Sequence, residues 1–155
     1  TATRVPLASL TLDGTDHRFE EGELEQAGLV ALEVGMTVAD RYEIVESIAA
    51  GGMGRVFRAK HAHLGKTFAL KQMHMALSAN ENLKEQFYRE ARLASQLSHP
   101  NIVSVVDFGE DKRTGTFMVM ELVEGDPLAI RLRKKEKLPL RMALEVILQM
   151  ADALD

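Results

Sequence analysis

Hydrophobic and polar residues alternate in several short stretches between residues 42 and 123, as they do in half-buried strands. Clusters of glycine or polar residues separate these stretches, which is typical of turns between antiparallel neighbours. The first two stretches flank a glycine cluster and therefore read as a hairpin. The pattern predicts five strands: Tyr42–Ile48, Arg55–His61, Thr67–Met73, Val103–Phe108 and Thr116–Val123.

Three other stretches have the period of a helix, and Pro139 stands at the start of the last one. The predicted helices are Asn80–Leu97, Ala129–Lys137 and Leu140–Asp155. One helix therefore follows the third strand, and only helices follow the fifth. This order predicts an α+β fold in which a five-stranded antiparallel sheet packs on a helix.

The first forty residues have no sustained period of either kind. They hold two basic against eight acidic side chains, a net charge of −6, whereas the rest of the chain carries +2. Phe19 is their only aromatic residue. We therefore predict a poorly ordered acidic tail over residues 1–35. A segment that docks onto a partner is the alternative interpretation.

Composition excludes several classes of protein. The 155 residues hold 19 Lys and Arg against 23 Asp and Glu, a net charge of −4 that argues against a strongly basic nucleic-acid binder. The chain has no cysteine, which excludes disulfides, a thiolate nucleophile and cysteine-bound zinc. No apolar run reaches the roughly 18 residues of a membrane helix, and the first thirty residues do not resemble a secretory signal. We expect a cytoplasmic globular protein without a membrane segment in this stretch.

The glycine cluster Gly51-Gly52-Met53-Gly54 lies between two strands. A dinucleotide-binding fold would place its glycines before a helix, so that reading fails. A phosphate loop ending at Gly65-Lys66-Thr67 would need its first glycine where Lys60 stands. What remains is a glycine hairpin whose backbone amides can approach a phosphate chain. A flexible β-turn without a ligand is the alternative.

A charged residue interrupts the apolar stripe of the first predicted helix. At helical spacing, Glu90 falls within the stripe, and a carboxylate facing the core needs a partner. The stripe consists of Leu83, Phe87, Ala94 and Leu97. Lys71 shares one face of the third strand with Ala69 and could pair with Glu90 while meeting phosphate oxygens. The alternatives are a purely structural ion pair and a helix turned so that Glu90 faces water.

Five stretches of the chain together resemble one family, the protein kinases of the eukaryotic-like Ser/Thr type in their bacterial branch. They occur in the order and at the spacing of that family: Ile48–Lys60, Phe68–Lys71, Phe87–Glu90, His99–Val103 and Phe117–Gly125. The resemblance extends from about Gly35 to the last residue. It implies a kinase N-terminal lobe over residues 36–125 and the first helices of a C-terminal lobe over 126–155.

The resemblance also implies roles for individual residues around ATP. Lys71 would hold the α- and β-phosphates and Glu90 would anchor Lys71. Val56 and Ala69 would contact adenine, with Met120 as gatekeeper and the backbone of Glu121 and Val123 as hinge. The glycine-rich loop that covers the nucleotide would consist of Ile48, Ala49, Ala50, Gly51, Gly52, Met53, Gly54 and Arg55.

The chain departs from the family pattern at two places. Ala49 stands where the family has the first glycine of Gly-x-Gly-x-x-Gly, from which we expect a weaker phosphate clamp. The chain ends at Asp155 without a His-Arg-Asp motif. We therefore expect the Mg²⁺ ligands beyond Asp155, no metal site within these residues, and no phosphotransfer by these residues alone.

The resemblance implies transfer of the γ-phosphoryl group of Mg-ATP to a protein hydroxyl, so the expected partner is a protein substrate. The alternative is a pseudokinase or interaction module that uses the lobe as a binding surface. Asp107-Phe108-Gly109 looks like the magnesium-binding triplet of the family, but it precedes the hinge strand. We assign this triplet to the turn at the end of the fourth predicted strand.

Two further clusters have plain interpretations. His61 and His63 share a strand face without a nearby carboxylate, which favours a solvated strand end over a metal site. A basic run is interpreted as the wet face of a helix, or alternatively as a dock for an acidic substrate or for the acidic tail. The run consists of Arg131, Arg133, Lys134, Lys135, Lys137 and Arg141.

Overall fold

The computed structural model describes residues 30–51, 54–74, 81–133 and 137–154. Most of the predicted acidic tail, Gly52, Met53 and part of the basic run lie outside these residues. The strands are β1 (Thr37–Val38), β2 (Tyr42–Gly51), β3 (Gly54–His61), β4 (Thr67–Met73), β5 (Val105–Asp111) and β6 (Gly115–Glu121). The described helices are α1 (Glu81–Gln96), α2 (Leu128–Arg133) and α3 (Leu140–Asp152).

All six strands form one antiparallel sheet in the order β1-β2-β3-β4-β6-β5. The chain leaves the sheet after β4, forms α1, and returns through β5 at the edge, so β6 pairs with β4. The prediction of five strands missed β1, which has two residues and is too short to show a period. It pairs with the start of β2 across a tight turn in which Ala39 and Asp40 adopt positive φ angles of 48° and 56°.

Strand boundaries differ from prediction at the glycine hairpin and in β5. β2 continues to Gly51 because its last residues stay paired with β3. β5 continues to Asp111, so the triplet starting at Asp107 lies inside a strand, and its assignment to a strand-end turn was wrong. The turn instead spans residues 112–114, where Asp111 accepts hydrogen bonds from the backbone of Arg113 and Thr114 at 2.9 and 3.0 Å.

The centre of the sheet is buried on both faces, and β6 is buried along nearly its whole length. Alternation along β4 sends Leu70 into one core and Ala69 into the other, as the strand pattern predicts. The first core consists of Leu32, Val38, Tyr42, Ile44, Phe57, Ala59, Leu70, Phe117 and Val119. The second, on the side of α1, consists of Ala69, Met73, Phe87, Ala91, Val103, Met118 and Met120.

Helix α1 is turned relative to the predicted apolar stripe. Its buried residues are Phe87, Ala91 and Ala94, whereas Leu97 is 48% exposed and Glu90 is exposed. The buried face is therefore centred about 40° away from the predicted stripe, toward Ala91. The expectation of a core-facing Glu90 is thus wrong, and the alternative of a wet carboxylate is correct.

The sheet curls so that its two ends in the strand order approach each other. The Asp107 carboxylate on edge strand β5 accepts hydrogen bonds from the Tyr42 hydroxyl at 2.8 Å and from Arg41 Nη2 at 2.8 Å. The Ala39 backbone N–H donates to Asp111 Oδ2 at 2.8 Å. Leu32 packs inside this curl with 2% of its surface exposed, although the predicted tail includes it. The packed chain therefore begins earlier than residue 36.

Polar side chains connect the segment after α1 to helix α3. Asp152 Oδ2 lies 3.2 Å from His99 Nε2 and accepts a hydrogen bond from Asn101 Nδ2 at 3.1 Å. At the other end of α1, Lys84 Nζ lies 2.8 Å from Glu110 Oε2 on β5, and this hydrogen bond raises the pKa of Lys84.

Among the described residues, no helix is both long and apolar enough to cross a lipid bilayer.

Candidate functional site

The glycine hairpin joins the end of β2 to the start of β3. Ala49 pairs with Val56 in extended backbone, so its methyl group meets no conformational penalty there. Gly51 pairs with Gly54, which in turn pairs with Met73 of β4. Gly54 has a φ of +153°, and a Cβ atom at this position would overlap the Gln72 carbonyl oxygen. The glycine therefore allows β3 to approach β4 closely.

Apolar residues from three strands meet beneath the hairpin. Val56 on β3 packs against the second core, which contains Ala69 of β4 and Met120 of β6. Ala69 pairs directly with Met120, and Val123 packs partly buried against the same core. The structure therefore brings together the four residues expected around adenine. Ile48 of β2 is 47% exposed.

The predicted hinge, Glu121 and Val123, begins at the last residue of β6. The backbone N–H of Glu121 donates to the Ser104 carbonyl at 2.9 Å, which fixes the last residue of β6 against the start of β5. Arg58 Nη1 on β3 lies 3.2 Å from Glu124 Oε1. The chain leaving the sheet is thereby tied back to β3 on its way to α2.

Lys71 lies near the middle of the sheet, paired with Val56 on one side and Met118 on the other. Its side chain is partly buried, and Nζ lies 5.9 Å from the centroid of the Phe87 ring on α1. Among the described residues, no ion pair joins Lys71 to Glu90. The predicted pair is therefore not assembled here, because the turn of α1 puts Phe87 over the lysine and Glu90 in water.

Sequence reasoning missed one side chain that contacts the hairpin. His74 follows β4, and its Nε2 lies 2.9 Å from the Gly51 carbonyl oxygen. A single histidine after a strand carries no distinctive spacing, so no pattern in the chain indicates this contact. Phe87 was placed on the apolar stripe, but its position over Lys71 depends on how α1 packs.

Asp107 of the magnesium-like triplet and His61 of the histidine pair both make contacts within the fold. Asp107 binds Arg41 and Tyr42, and burial followed by the Asp107 hydrogen bond raises the pKa of the Tyr42 hydroxyl. His61 Nδ1 accepts from the backbone N–H groups of His63 and Leu64, both at 3.2 Å. The side chain of His61 therefore stabilises the turn after β3 by accepting hydrogen bonds, in addition to lying at a strand end. In the ranges that the structure covers, no group of three or more His, Asp or Glu residues is placed to hold a metal ion.

The described part of the basic run lies at the surface of α2, α3 and the link between them. Arg133, Lys137 and Arg141 are exposed. Arg141 Nε pairs with Glu145 one helical turn later at 3.0 Å, and Arg131 Nη1 contacts the Met142 sulfur at 3.9 Å. These contacts agree with a wet helix face.

A curled antiparallel sheet with a glycine hairpin, an inward lysine on β4 and one packed helix is the architecture of a protein-kinase N-terminal lobe. The sequence matches the protein kinase domain family over residues 42–155. The chain therefore belongs to the protein kinase domain family, and the resemblance found in the sequence is confirmed.

Relatives that the chain matches include bacterial Ser/Thr kinases. The chain is 40% identical over 125 residues to serine/threonine-protein kinase PknA of Mycobacterium tuberculosis, covering 78% of this chain and 29% of PknA. It is 38% identical over 121 residues to serine/threonine-protein kinase pkn3 of Myxococcus xanthus, covering 78% and 22%. The chain thus spans less than a third of the length of these relatives.

Solved structures agree on the fold. The PknI kinase domain of M. tuberculosis superimposes with a TM-score of 0.68 at 30% identity, covering 81% of this chain and 50% of that domain. A double mutant of the same domain gives 0.69 at 30% identity. The α+β kinase fold expected from the sequence is therefore confirmed, with six strands in place of five.

Proposed function

We propose that this chain is the ATP-binding portion of a Ser/Thr protein kinase that transfers the γ-phosphoryl group of ATP to protein hydroxyls. Val56, Ala69, Met120 and Val123 would enclose the adenine ring. Lys71 would hold the α- and β-phosphates, and the hairpin from Ile48 to Arg55 would cover the phosphate chain. Protein kinases act mainly by positioning and electrostatic stabilisation, and these residues supply both.

The proposal extends to the organisation of the chain. Residues 36–125, with Leu32 packed into their first core, would form the lobe that binds ATP, and residues 126–155 would begin the second lobe. Magnesium would shield the phosphate charge, and we place its ligands beyond Asp155. A protein substrate and a cytoplasmic location for this portion complete the proposal, and docking of the acidic tail onto the basic run is compatible with their opposite charges.

The position of Lys71 is the observation that carries the proposal. Its side chain leaves the sheet on the face that holds Ala69 and Met120, and it is paired in register with Val56. An ammonium group on the same sheet face as an apolar patch suits a ligand that has an apolar ring at one end and phosphates at the other.

The role of Glu90 requires α1 to move from the position described here. Phe87 and Glu90 are three residues apart, so bringing Glu90 to the position of Phe87 requires α1 to turn by about 60°. Glu90 would then hold the Lys71 ammonium in place of the Phe87 ring. This makes Glu90 a positioning residue, and Lys71 the residue that touches ATP.

The experiment compares Lys71→Ala and Glu90→Gln in the full-length protein. We expect Lys71→Ala to reduce single-turnover phosphotransfer at least about thirtyfold, equal to about 2 kcal/mol of transition-state stabilisation. Glu90→Gln should reduce it less, because an amide oxygen still accepts a hydrogen bond from lysine. Neither substitution should unfold the lobe, since Lys71 is only partly buried and Glu90 is exposed.

Lys60→Ala is the matched control, because it removes the same charge from an exposed position on neighbouring β3. It should leave phosphotransfer and the melting temperature at parental values. If Lys71→Ala and Glu90→Gln both keep parental rates while their melting temperatures fall, the assignment of the ATP site is wrong. ATP binding without any transfer by the parental protein would instead favour an interaction module.

A further inference from the structure

His74 is the first residue after β4, and its side chain reaches the glycine hairpin. Its Nε2 lies 2.9 Å from the carbonyl oxygen of Gly51. A carbonyl oxygen only accepts hydrogen bonds, so Nε2 carries the proton and donates. The imidazole is partly buried, which shields this hydrogen bond from competing water.

This hydrogen bond connects two strands that are not neighbours. In the register of the sheet, Gly54 of β3 lies between Gly51 of β2 and Met73 of β4. The His74 side chain therefore spans the position of β3. Gly54 lets β3 lie close to β4 at this point, since a Cβ at this position would overlap the backbone of Gln72.

The backbone at this end of the hairpin has little other support. β2 pairs with β1 only at Tyr42 and Glu43, so its second half, which ends at Gly51, is an edge held by β3 alone. Edge segments rich in glycine are held weakly in place. A second attachment at Gly51 therefore restricts the end of β2 where ladder pairing alone leaves it loosely held.

We propose that His74 is a positioning residue that holds the Gly51 end of the glycine hairpin against β4 and thereby tightens the binding of the ATP phosphates. The inference rests on the proposed function, since it assigns the hairpin to the phosphate chain. His74 need not touch the nucleotide. We expect its effect on the affinity for phosphates and not for adenine, because the second core with its adenine-lining residues includes neither Gly51 nor His74.

The test uses His74→Phe, which keeps a ring but removes the donor, and His74→Gln, which retains an N–H donor of similar reach. Steady-state kinetics and binding titrations with ATP and with adenosine are measured in the full-length protein. We expect His74→Phe to raise the ATP KM about three- to tenfold, the effect of one lost hydrogen bond, with kcat within about twofold. His74→Gln should restore most of the affinity, and adenosine should bind all variants equally.

His63→Phe is the matched control, since it makes the same substitution at an exposed histidine near the opposite end of β4. It should leave the ATP KM unchanged. The inference is overturned if His74→Phe leaves the ATP KM at the parental value, or weakens ATP and adenosine equally while lowering the melting temperature. If the parental protein binds adenosine but not ATP, or binds neither, the proposed function fails and this inference fails with it.

Discussion

Gly54 shows how one residue adjusts the geometry of the whole hairpin. It is buried, its φ is +153°, and the space for a Cβ is taken by the Gln72 carbonyl. Two effects therefore oppose any other residue: a backbone conformation that L side chains rarely adopt, and an overlap with backbone atoms that cannot rotate away.

Gly54→Ala should lower the free energy of unfolding by at least about 2 kcal/mol, because β3 must separate from β4 to relieve the overlap. Gly65→Ala is the matched control. Gly65 also has a positive φ, +65°, but nothing lies within 4 Å of its Cβ position. It should lose only about 1 kcal/mol. Chemical denaturation of both variants measures this, and equal losses would show that backbone conformation alone decides.

The turn between β5 and β6 is a single element that the carboxylate of Asp111 holds in place. Asp111 Oδ1 accepts from the Arg113 and Thr114 N–H groups and from the Thr114 hydroxyl, while Oδ2 accepts from Ala39. Burial alone would raise the pKa of Asp111, but these hydrogen bonds outweigh it and hold the pKa below its ordinary value. The charged form is therefore the one that stabilises the fold.

Because the pKa of Asp111 is lower in the folded than in the unfolded protein, its charged form stabilises the fold. This stabilisation is complete above the unfolded-state pKa of about 4 and is lost as the pH falls through the folded-state pKa. Asp111→Asn should lower the free energy of unfolding by about 1–2 kcal/mol at pH 7. The difference from the parental protein should shrink as the pH is lowered from 5 to 2.5. Denaturation at several pH values measures it, and a difference that stays constant would contradict the assignment.

The curl of the sheet is a property of the whole molecule. Arg41 and Tyr42 lie by β1 and β2 at one end of the strand order, and Asp107 lies on β5 at the other. Twist brings these ends together, and the first core fills the space between them. The hydrogen bond to Asp107, more than offsetting burial, raises the pKa of Arg41.

Asp107→Ala should lower the free energy of unfolding by about 1–3 kcal/mol, because Tyr42 loses the acceptor of its largely buried hydroxyl. Tyr42→Phe in the same background should restore part of the stability by removing the orphaned hydroxyl. Both are compared by thermal unfolding. ATP affinity should change little, since Asp107 binds Tyr42 of the first core, whereas Lys71 lies on the sheet face of the second core. A strong loss of ATP binding at unchanged stability would instead support a nucleotide role for Asp107.

The order and type of the main elements follow from the sequence alone. β4 was predicted with its observed bounds, because the polar turn around Gly65 marks its start and β-branched, aromatic and aliphatic residues favour a strand there. The family followed from its five motifs, and the shared face of Ala69 and Lys71 followed from the period of two, which makes the face of a residue a local property. The positions of Val56 and Met120 came only from the resemblance to the family.

The rotation of α1 and the contacts between distant strands cannot be read from the sequence, because they depend on how the elements pack. The rotation of α1 is set by the fit of Phe87 and Ala91 into the second core, so periodicity alone put Glu90 about 40° from its observed direction. The curl that joins Asp107 to Tyr42 spans 65 residues of sequence, and the contact of His74 with Gly51 spans 23. No local pattern encodes such distances, because they arise only when twist and packing bring the sheet's strands together.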